Sequence, residues 1–217
     1  MINIFINGLS GKMGSSVMDV SKNHSDVAIL KCNEMISADV VIDFSRPEST
    51  MKVLDQCVAS KKPIVIGTTG FDIKDIEVIK YASKQIPLLI SYNMSKGIFI
   101  LKKSIKDFLS KNNSNISCLI EEVHHTEKVD SPSGTAIELK KLIEDNYPNK
   151  NILSLDISSL RVKDVFGIHR ITFSNDHGVT EFKHEALSRN IFANGAVDIA
   201  KLIIGKDSGI YDLEDFF

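Results

Sequence analysis

The chain opens on an apolar run, residues 2–7 (INIFIN), which stops at Gly8 and gives way to a helical pattern over 13–22. A short continuous run of this kind suits a strand buried on both faces of a parallel sheet. Four more such runs follow, at 27–32 (VAILKC), 39–44 (DVVIDF), 63–67 (PIVIG) and 87–91 (PLLIS). Between them, 47–60 and 73–85 read as helices. Alternating strands and helices predict an α/β, doubly wound parallel sheet. Several of these strands stop at polar or glycine residues: Asn7-Gly8, Asp43-Phe44-Ser45, Gly67-Thr68-Thr69-Gly70 and Ser91-Tyr92-Asn93. Ligands of open parallel sheets lie outside the strands' C-terminal ends, so these four endings predict one crevice.

The pattern changes after about residue 94. A helix over 98–111 leads through a polar turn (111–115) to a strand over 116–123, and a second helix is predicted near 136–146. Strands at 168–174 and 179–186 precede a last helix over 193–204. This order predicts a smaller α+β domain, helices on a mixed or antiparallel sheet. The expected domains are 1–94 with 190–217, and 95–189.

Gly8-Leu9-Ser10-Gly11-Lys12-Met13-Gly14 is a GxxGxxG variant of the dinucleotide fingerprint, placed between the first strand and the first helix. Glycines permit the tight turn and the close approach of backbone to a pyrophosphate, which rests on the helix N-terminus. A plain βα turn is the alternative, and Gly67-Thr68-Thr69-Gly70 at a second strand end weighs against it. Lys12 adds charge near a phosphate or is simply an exposed lysine. The fingerprint expects an acidic residue about 20 positions on for the ribose. Glu34 stands there, with a solvated loop glutamate as the alternative reading. Lys31, read as part of the strand, is a weaker candidate for a 2′-phosphate.

The densest chemistry lies in Glu121-Glu122-Val123-His124-His125-Thr126-Glu127-Lys128-Val129-Asp130-Ser131-Pro132-Ser133-Gly134-Thr135. Three readings of His124 and His125 compete. Metal ligation is disfavoured because adjacent residues on a strand point to opposite faces and no HExxH or cysteine partner exists. A purely structural role is the second. General acid/base chemistry is favoured, because histidine titrates near neutral pH and Lys128 is close in sequence. Thr135-Ala136-Ile137-Glu138 fits a capping box, which would start the helix at Thr135 and turn the amides of Gly134 and Thr135 toward an anion. Asp130 and Pro132 would fix the turn. Arg189 is read as ending the last strand of the second domain, either forking onto a second carboxylate or lying on the surface. Cys118, mid-strand without a partner, gives no support to a nucleophilic mechanism, and no GxSxG is present.

Composition narrows the classes. The 217 residues are 43% hydrophobic and 25% charged with a net charge of −2, which speaks against a nucleic-acid or acidic-membrane partner. No apolar run approaches the ~18 residues of a membrane span. Cys32, Cys57 and Cys118 never pair as CxxC, which fits a reducing compartment, and the first residues lack the pattern of a signal peptide. A cytoplasmic protein is expected.

Together these residues resemble the dihydrodipicolinate reductase family, from Gly8 to the C-terminus. The most specific match is Glu122-Val123-His124-His125 through Lys128, Asp130 and Pro132-Ser133-Gly134-Thr135-Ala136, against the family's E-x-H-H-x-x-K-x-D-x-P-S-G-T-A. Ile42-Asp43-Phe44-Ser45-Arg46-Pro47-Glu48, Val65-Ile66-Gly67-Thr68-Thr69-Gly70-Phe71, Ser188-Arg189 and Phe192-Ala193-Asn194-Gly195-Ala196 also match. The resemblance implies a Rossmann-like nucleotide domain and an enzyme of lysine and diaminopimelate biosynthesis. That enzyme reduces a cyclic dicarboxylate, hydroxytetrahydrodipicolinate, with NADPH or NADH. It implies a pyrophosphate on Gly8, Leu9, Ser10, Gly11, Lys12 and Met13. The nicotinamide would lie between Gly67, Thr68, Thr69 and Ser91, Tyr92, Asn93, Met94. His124 would be the proton donor and Lys128 a second donor, with His125, Gly134 and Thr135 on the dicarboxylate and Arg189 at the hinge. The family's tetramer is built on the second domain's sheet, so a homo-oligomer is implied. This chain lacks some 30 family residues between Glu34 and the IDFS strand, the segment that carries the ribose and 2′-phosphate contacts. It is also shortened between Arg161 and Gly167, where the family has a further strand.

Overall fold

A computed structural model describes residues 1–31, 33–147 and 152–217. The chain divides into two compact units, Met1–Ser95 with Arg189–Phe217, and Lys96–Ser188.

In the first unit β1 (Ile2–Asn7), β2 (Val27–Ile29), β3 (Val40–Asp43), β4 (Ile64–Ile66), β5 (Pro87–Ile90) and β10 (Gly209–Tyr211) form one sheet in the order β10-β5-β4-β3-β1-β2. Every pairing is parallel. The doubly wound expectation holds because the central strands are apolar on both sides: Val40, Val41, Ile42, Ile64, Val65 and Ile66 are all fully buried. The side chains of Val41, Ile64, Ile66 and Leu88 pack against α2 (Pro47–Ser60) and α3 (Ile73–Ser83) through Val53, Leu54, Cys57 and Ile79. The alternate residues meet α6 (Asn190–Ile203), which also packs on α1 (Lys12–Ser21). Burial of this order is worth roughly 1.5–3 kcal/mol per large aliphatic side chain.

Two expectations are corrected here. The strand predicted over 27–32 ends at Ile29, its pairing with β1 closing at Ile4↔Ile29, and the Glu34 carboxylate then accepts from the Lys31 amide at 3.0 Å to make a turn. Lys31 is therefore exposed beyond the strand, and Cys32 lies outside the described residues. β10 was not predicted, because three residues carry no periodicity.

The second unit is a four-stranded mixed sheet, β7-β6-β8-β9, with α4 (Lys96–Lys111) and α5 (Gly134–Asn146) against it. β6 (Ile116–His124) pairs parallel with β7 (Ile152–Arg161) and antiparallel with β8 (Ile168–Asn175), which forms a hairpin with β9 (Gly178–Glu185). Ile116, Cys118 and Ile120 of β6 join Ile171 and Phe173 of β8, Ile98, Leu101, Ile105 and Leu109 of α4 and Leu139 and Ile143 of α5 in one core. β7 was not predicted. Its sequence ILSLDISSLR mixes serine and aspartate among the apolar residues, and none of it is fully buried, its residues being half-buried or exposed.

Candidate active site

At the C-terminal edge of the parallel sheet, β1, β3 and β4 end side by side, with Asn7 opposite Asp43 and Asp43 opposite Ile66. Asp43 is fully buried. Its Oδ1 accepts from Asn7 Nδ2 at 2.7 Å and Ser45 Oγ at 2.6 Å, and its Oδ2 from Thr50 Oγ1 at 2.5 Å and Thr68 Oγ1 at 2.8 Å. One carboxylate thus ties the ends of three strands and the first turn of α2. Thr68 Oγ1 also accepts from the Ser45 amide at 2.8 Å, so its hydroxyl holds the loops together.

The glycine loop sits beside this knot. Gly8 has φ +90°, and a Cβ there would overlap the Phe44 carbonyl. A side chain at Gly14 would overlap the Gly8 carbonyl, and one at Gly67 the Phe44 ring. Gly11 is the N-cap of α1, supplying no capping side chain, and its amide donates to the Gly8 carbonyl at 2.9 Å. Gly8, Leu9 and Met13 are half-buried, while Ser10, Gly11 and Lys12 are exposed. A turn this tight, open to solvent at a helix N-terminus, fits a dinucleotide pyrophosphate. At the neighbouring strand ends Thr69 and Tyr92 are exposed, Ser91 and Asn93 half-buried. Met94 is buried, its carbonyl against Gly195 of α6. Glu34 is half-buried after β2.

The histidine cluster is built by strand register. Because side chains alternate along β6, Glu122 and His124 continue the buried face of Ile116, Cys118 and Ile120. Arg161 of β7 lies opposite His124, and His169 of β8 opposite Glu122. The Glu122 carboxylate, fully buried, meets His124 Nδ1 through Oε2. Its Oε1 accepts from Arg161 Nη1 and Nη2, both at 3.0 Å, and from the Ser133 amide at 3.3 Å. Burial alone would raise the Glu122 pKa, but bonds from Arg161, Ser159 and His124 outweigh it and hold it below the usual carboxylate range. The glutamate is ionised and only accepts, so Nδ1 of His124 carries a proton. Burial also lowers the His124 pKa; Glu122 opposes that shift, while Lys128 and Arg161 reinforce it.

His169 is buried, its ring at 5.1 Å from that of His124 and its Nε2 at 3.3 Å from Ser133 Oγ. Burial, with His124 beside it, pushes its pKa down to about 3, so it stays neutral. Lys128 Nζ pairs with Asp130 at 2.8 Å, and Arg161 Nη2 donates to the Asp130 carbonyl at 2.6 Å. A Cβ at Gly167 would lie 3.1 Å from His124 Nε2, so a glycine keeps that nitrogen clear.

Two site expectations are corrected. Thr135 does not cap α5: Ser133 is the N-cap, its Oγ accepting from the Ala136 amide at 3.2 Å. Glu138, which a capping box from Thr135 would need, pairs instead with Lys102 at 2.6 Å. Gly134 is the first residue of the helix and Thr135 is buried in its first turn. Arg189 does not end a strand: β9 stops at Glu185, where its partner β8 begins, and Arg189 is the N-cap of α6. It therefore falls in the first unit, while His125, half-buried, follows His124 in the second. Among the described residues no three His, Cys, Asp or Glu side chains are grouped to hold a metal ion. Arg161, His169 and Gly167 were missed in the sequence. They lie 37, 45 and 43 positions beyond His124, and only strand register reveals them.

A glycine-turned dinucleotide fold and a separate sheet bearing a carboxylate-held histidine define a nicotinamide-dependent oxidoreductase. Family models described as dihydrodipicolinate reductase, N-terminus and C-terminus, match residues 30–94 and 97–217. The 4-hydroxy-tetrahydrodipicolinate reductase of Clostridium tetani is 35% identical, covering 99% of this chain and 96% of that protein. The Thermosipho africanus protein of the same name is 38% identical, with 96% and 94% covered. A solved dipicolinate-bound dihydrodipicolinate reductase from Paenisporosarcina sp. TG-14 superposes with a TM-score of 0.80 at 19% identity, covering both chains fully, which shows the shared fold. The chain belongs to the dihydrodipicolinate reductase family and is an NAD(P)H-dependent reductase. The alignment to the Thermosipho relative spans 213 positions, against 245 for the Clostridium one. The shorter form therefore has a relative of similar length.

Proposed function

We propose that this enzyme reduces 4-hydroxy-tetrahydrodipicolinate to tetrahydrodipicolinate in lysine and diaminopimelate biosynthesis. The observation that carries the reading is the Glu122–His124 pair with Lys128 nearby, in a chain whose relatives bear that enzyme's name. NADPH or NADH, when bound, supplies a hydride. Gly8, Leu9, Ser10, Gly11, Lys12 and Met13 would hold its pyrophosphate and Glu34 would lie toward its ribose. Gly67, Thr68, Thr69, Ser91, Tyr92, Asn93 and Met94 would border the nicotinamide, Thr68 and Met94 from buried positions that fix the loops.

His124 is proposed to give the proton, with Lys128 as a second donor. Hydride and proton are added and the ring hydroxyl leaves as water, so the atoms balance. The ring's carboxylates would be bound by His125 and by Gly134 and Thr135 at the start of α5, where helix amides favour an anion. Arg189 is proposed as a further anchor at the point where the chain re-enters the nucleotide unit.

The enzyme is proposed to act in the cytoplasm as a homotetramer. The sheet face away from α4 and α5 supports assembly, since Leu119 and Leu160 are exposed there. Light scattering tests the mass.

The deciding experiment follows NADPH or NADH oxidation at 340 nm with substrate freshly condensed from pyruvate and aspartate semialdehyde. Turnover with either cofactor is expected and sets the preference. His124→Ala should lose about 10²–10⁴-fold in kcat with cofactor affinity unchanged. No turnover by the unaltered enzyme, with cofactor bound, would overturn the substrate assignment.

A further inference from the structure

Beyond the histidine and lysine of the motif, the geometry points to Glu122 as the residue that positions His124, through a carboxylate held by Arg161. The inference rests on the reaction proposed above. Glu122 Oε1 accepts from two guanidinium N–H groups and the Ser133 amide, while Oε2 meets Nδ1 of His124. Arg161 is itself anchored on the carbonyls of Leu160 at 2.7 Å and Asp130 at 2.6 Å. The chain β7–Glu122–His124 therefore fixes the imidazole plane and its tautomer, with Nε2 left beside the bare main chain of Gly167. Nε2 is the nitrogen from which a proton reaches the substrate: its N–H bond breaks, the ring takes the proton, and the imidazole is left neutral with Nδ1–H still on Glu122.

The groups facing His124 set opposing signs. Glu122 from β6 stabilises the imidazolium. Arg161 from β7 and Lys128 from the loop after β6 disfavour it, and Asp130 pairs with Lys128. His169 from β8 is in ring contact and neutral, and Ser133 at the start of α5 reaches His169 and Glu122 rather than His124. Glu122→Gln and Arg161→Met must accordingly move His124 in opposite directions. A residue acting only through packing would move both the same way.

The test is nitrogen NMR of histidine-labelled enzyme, with His124 assigned by its loss in His124→Asn, alongside the pH profile of kcat. Unaltered enzyme should show neutral His124 protonated on Nδ1. In Glu122→Gln the amide should turn an N–H toward Nδ1, transfer the imidazole proton to Nε2 and lower the pKa. The alkaline limb of kcat should shift down with it, and kcat should fall by about 10²–10⁴-fold. In Arg161→Met the pKa and that limb should shift up. A proton on Nε2 in the unaltered enzyme overturns the proposal even if neither variant folds, as do shifts of equal sign in both variants. The expected tautomer and opposite shifts, in an enzyme inert toward the ring substrate, support the pairing and count against the substrate assignment alone.

Discussion

Replacing Asp43 tests whether the strand-end knot holds the cofactor loops. In Asp43→Ala four donors lose a buried carboxylate, but three have a second acceptor. Asn7 Nδ2 keeps Ser45 Oγ at 3.0 Å and Ser49 Oγ at 3.1 Å. Thr50 Oγ1 and Ser45 Oγ reach the Arg46 carbonyl at 3.2 and 3.4 Å. The Thr68 hydroxyl is the donor for which the carboxylate is the acceptor, and stranding it costs about 1–3 kcal/mol. Adding the weaker charge-assisted bonds at the other three, and subtracting the relief of a buried charge, gives a net loss of about 2–3 kcal/mol. Asp43→Asn keeps one acceptor oxygen and, with that oxygen turned to the Thr68 hydroxyl, should lose less, about 1–2 kcal/mol. With Thr68 and the Ser45 amide loosened, NADH affinity should weaken about tenfold, equivalent to about 1.4 kcal/mol. Urea unfolding followed by circular dichroism gives the first quantities, and NADH fluorescence titration the last. The reasoning is refuted if both variants stay within about 0.5 kcal/mol of the parent, the scale of an ordinary surface change. It is refuted equally if the asparagine variant is the less stable.

The remaining expectations concern packing and pH. Gly195→Ala would drive a methyl into the Met94 carbonyl. It should cost about 1–3 kcal/mol, a fall in Tm of roughly 2–12 °C for a protein of this size; an unchanged Tm in scanning calorimetry would show that α6 slides freely. Gly167→Ala would place a methyl 3.1 Å from His124 Nε2 at a backbone φ of +157°. A drop in kcat above tenfold at unchanged NADH affinity is expected, and parental kcat would mean that Nε2 is not the working nitrogen. His169 has a pKa of about 3 when folded against its ordinary 6.5, so the unfolded chain takes up a proton first. Its contribution is complete above pH 6.5 and is lost at up to about 1.4 kcal/mol per pH unit as pH falls toward 3. His169→Gln should flatten stability between pH 6.5 and 5, and an unchanged slope would place the titrating group elsewhere.

What the sequence disclosed, and what it hid, follows from how local each interaction is. Runs such as DVVIDF and PIVIG are legible because a strand buried on both faces admits little besides apolar residues. β7 was illegible because one of its faces is open, so Ser154, Asp156 and Ser158 break the run. The register shift between Ile116 and Ser117 further disturbs its alternation against β6. The capping signal at Thr135 misled for a different reason. The pattern was present, but Lys102 of α4 takes the glutamate it needs, a contact 36 residues away.

The same distinction separates the two halves of the active site. His124, Lys128 and Ser133 are neighbours in the chain, so their spacing announces an acid beside a helix start. The groups that set the protonation of His124 come from two strands, β6 and β7, and from the loop after β6. Glu122 was in view as the first residue of the histidine motif but without a role of its own, because its purpose depends on Arg161. Arg161 had no assignable purpose until β7 was known to run parallel to β6 with Arg161 opposite His124. A buried carboxylate is costly unless paired, and an arginine anchored on two carbonyls is poorly placed to leave it. The motif therefore names the group that moves the proton, while the sheet register fixes which of its nitrogens does so.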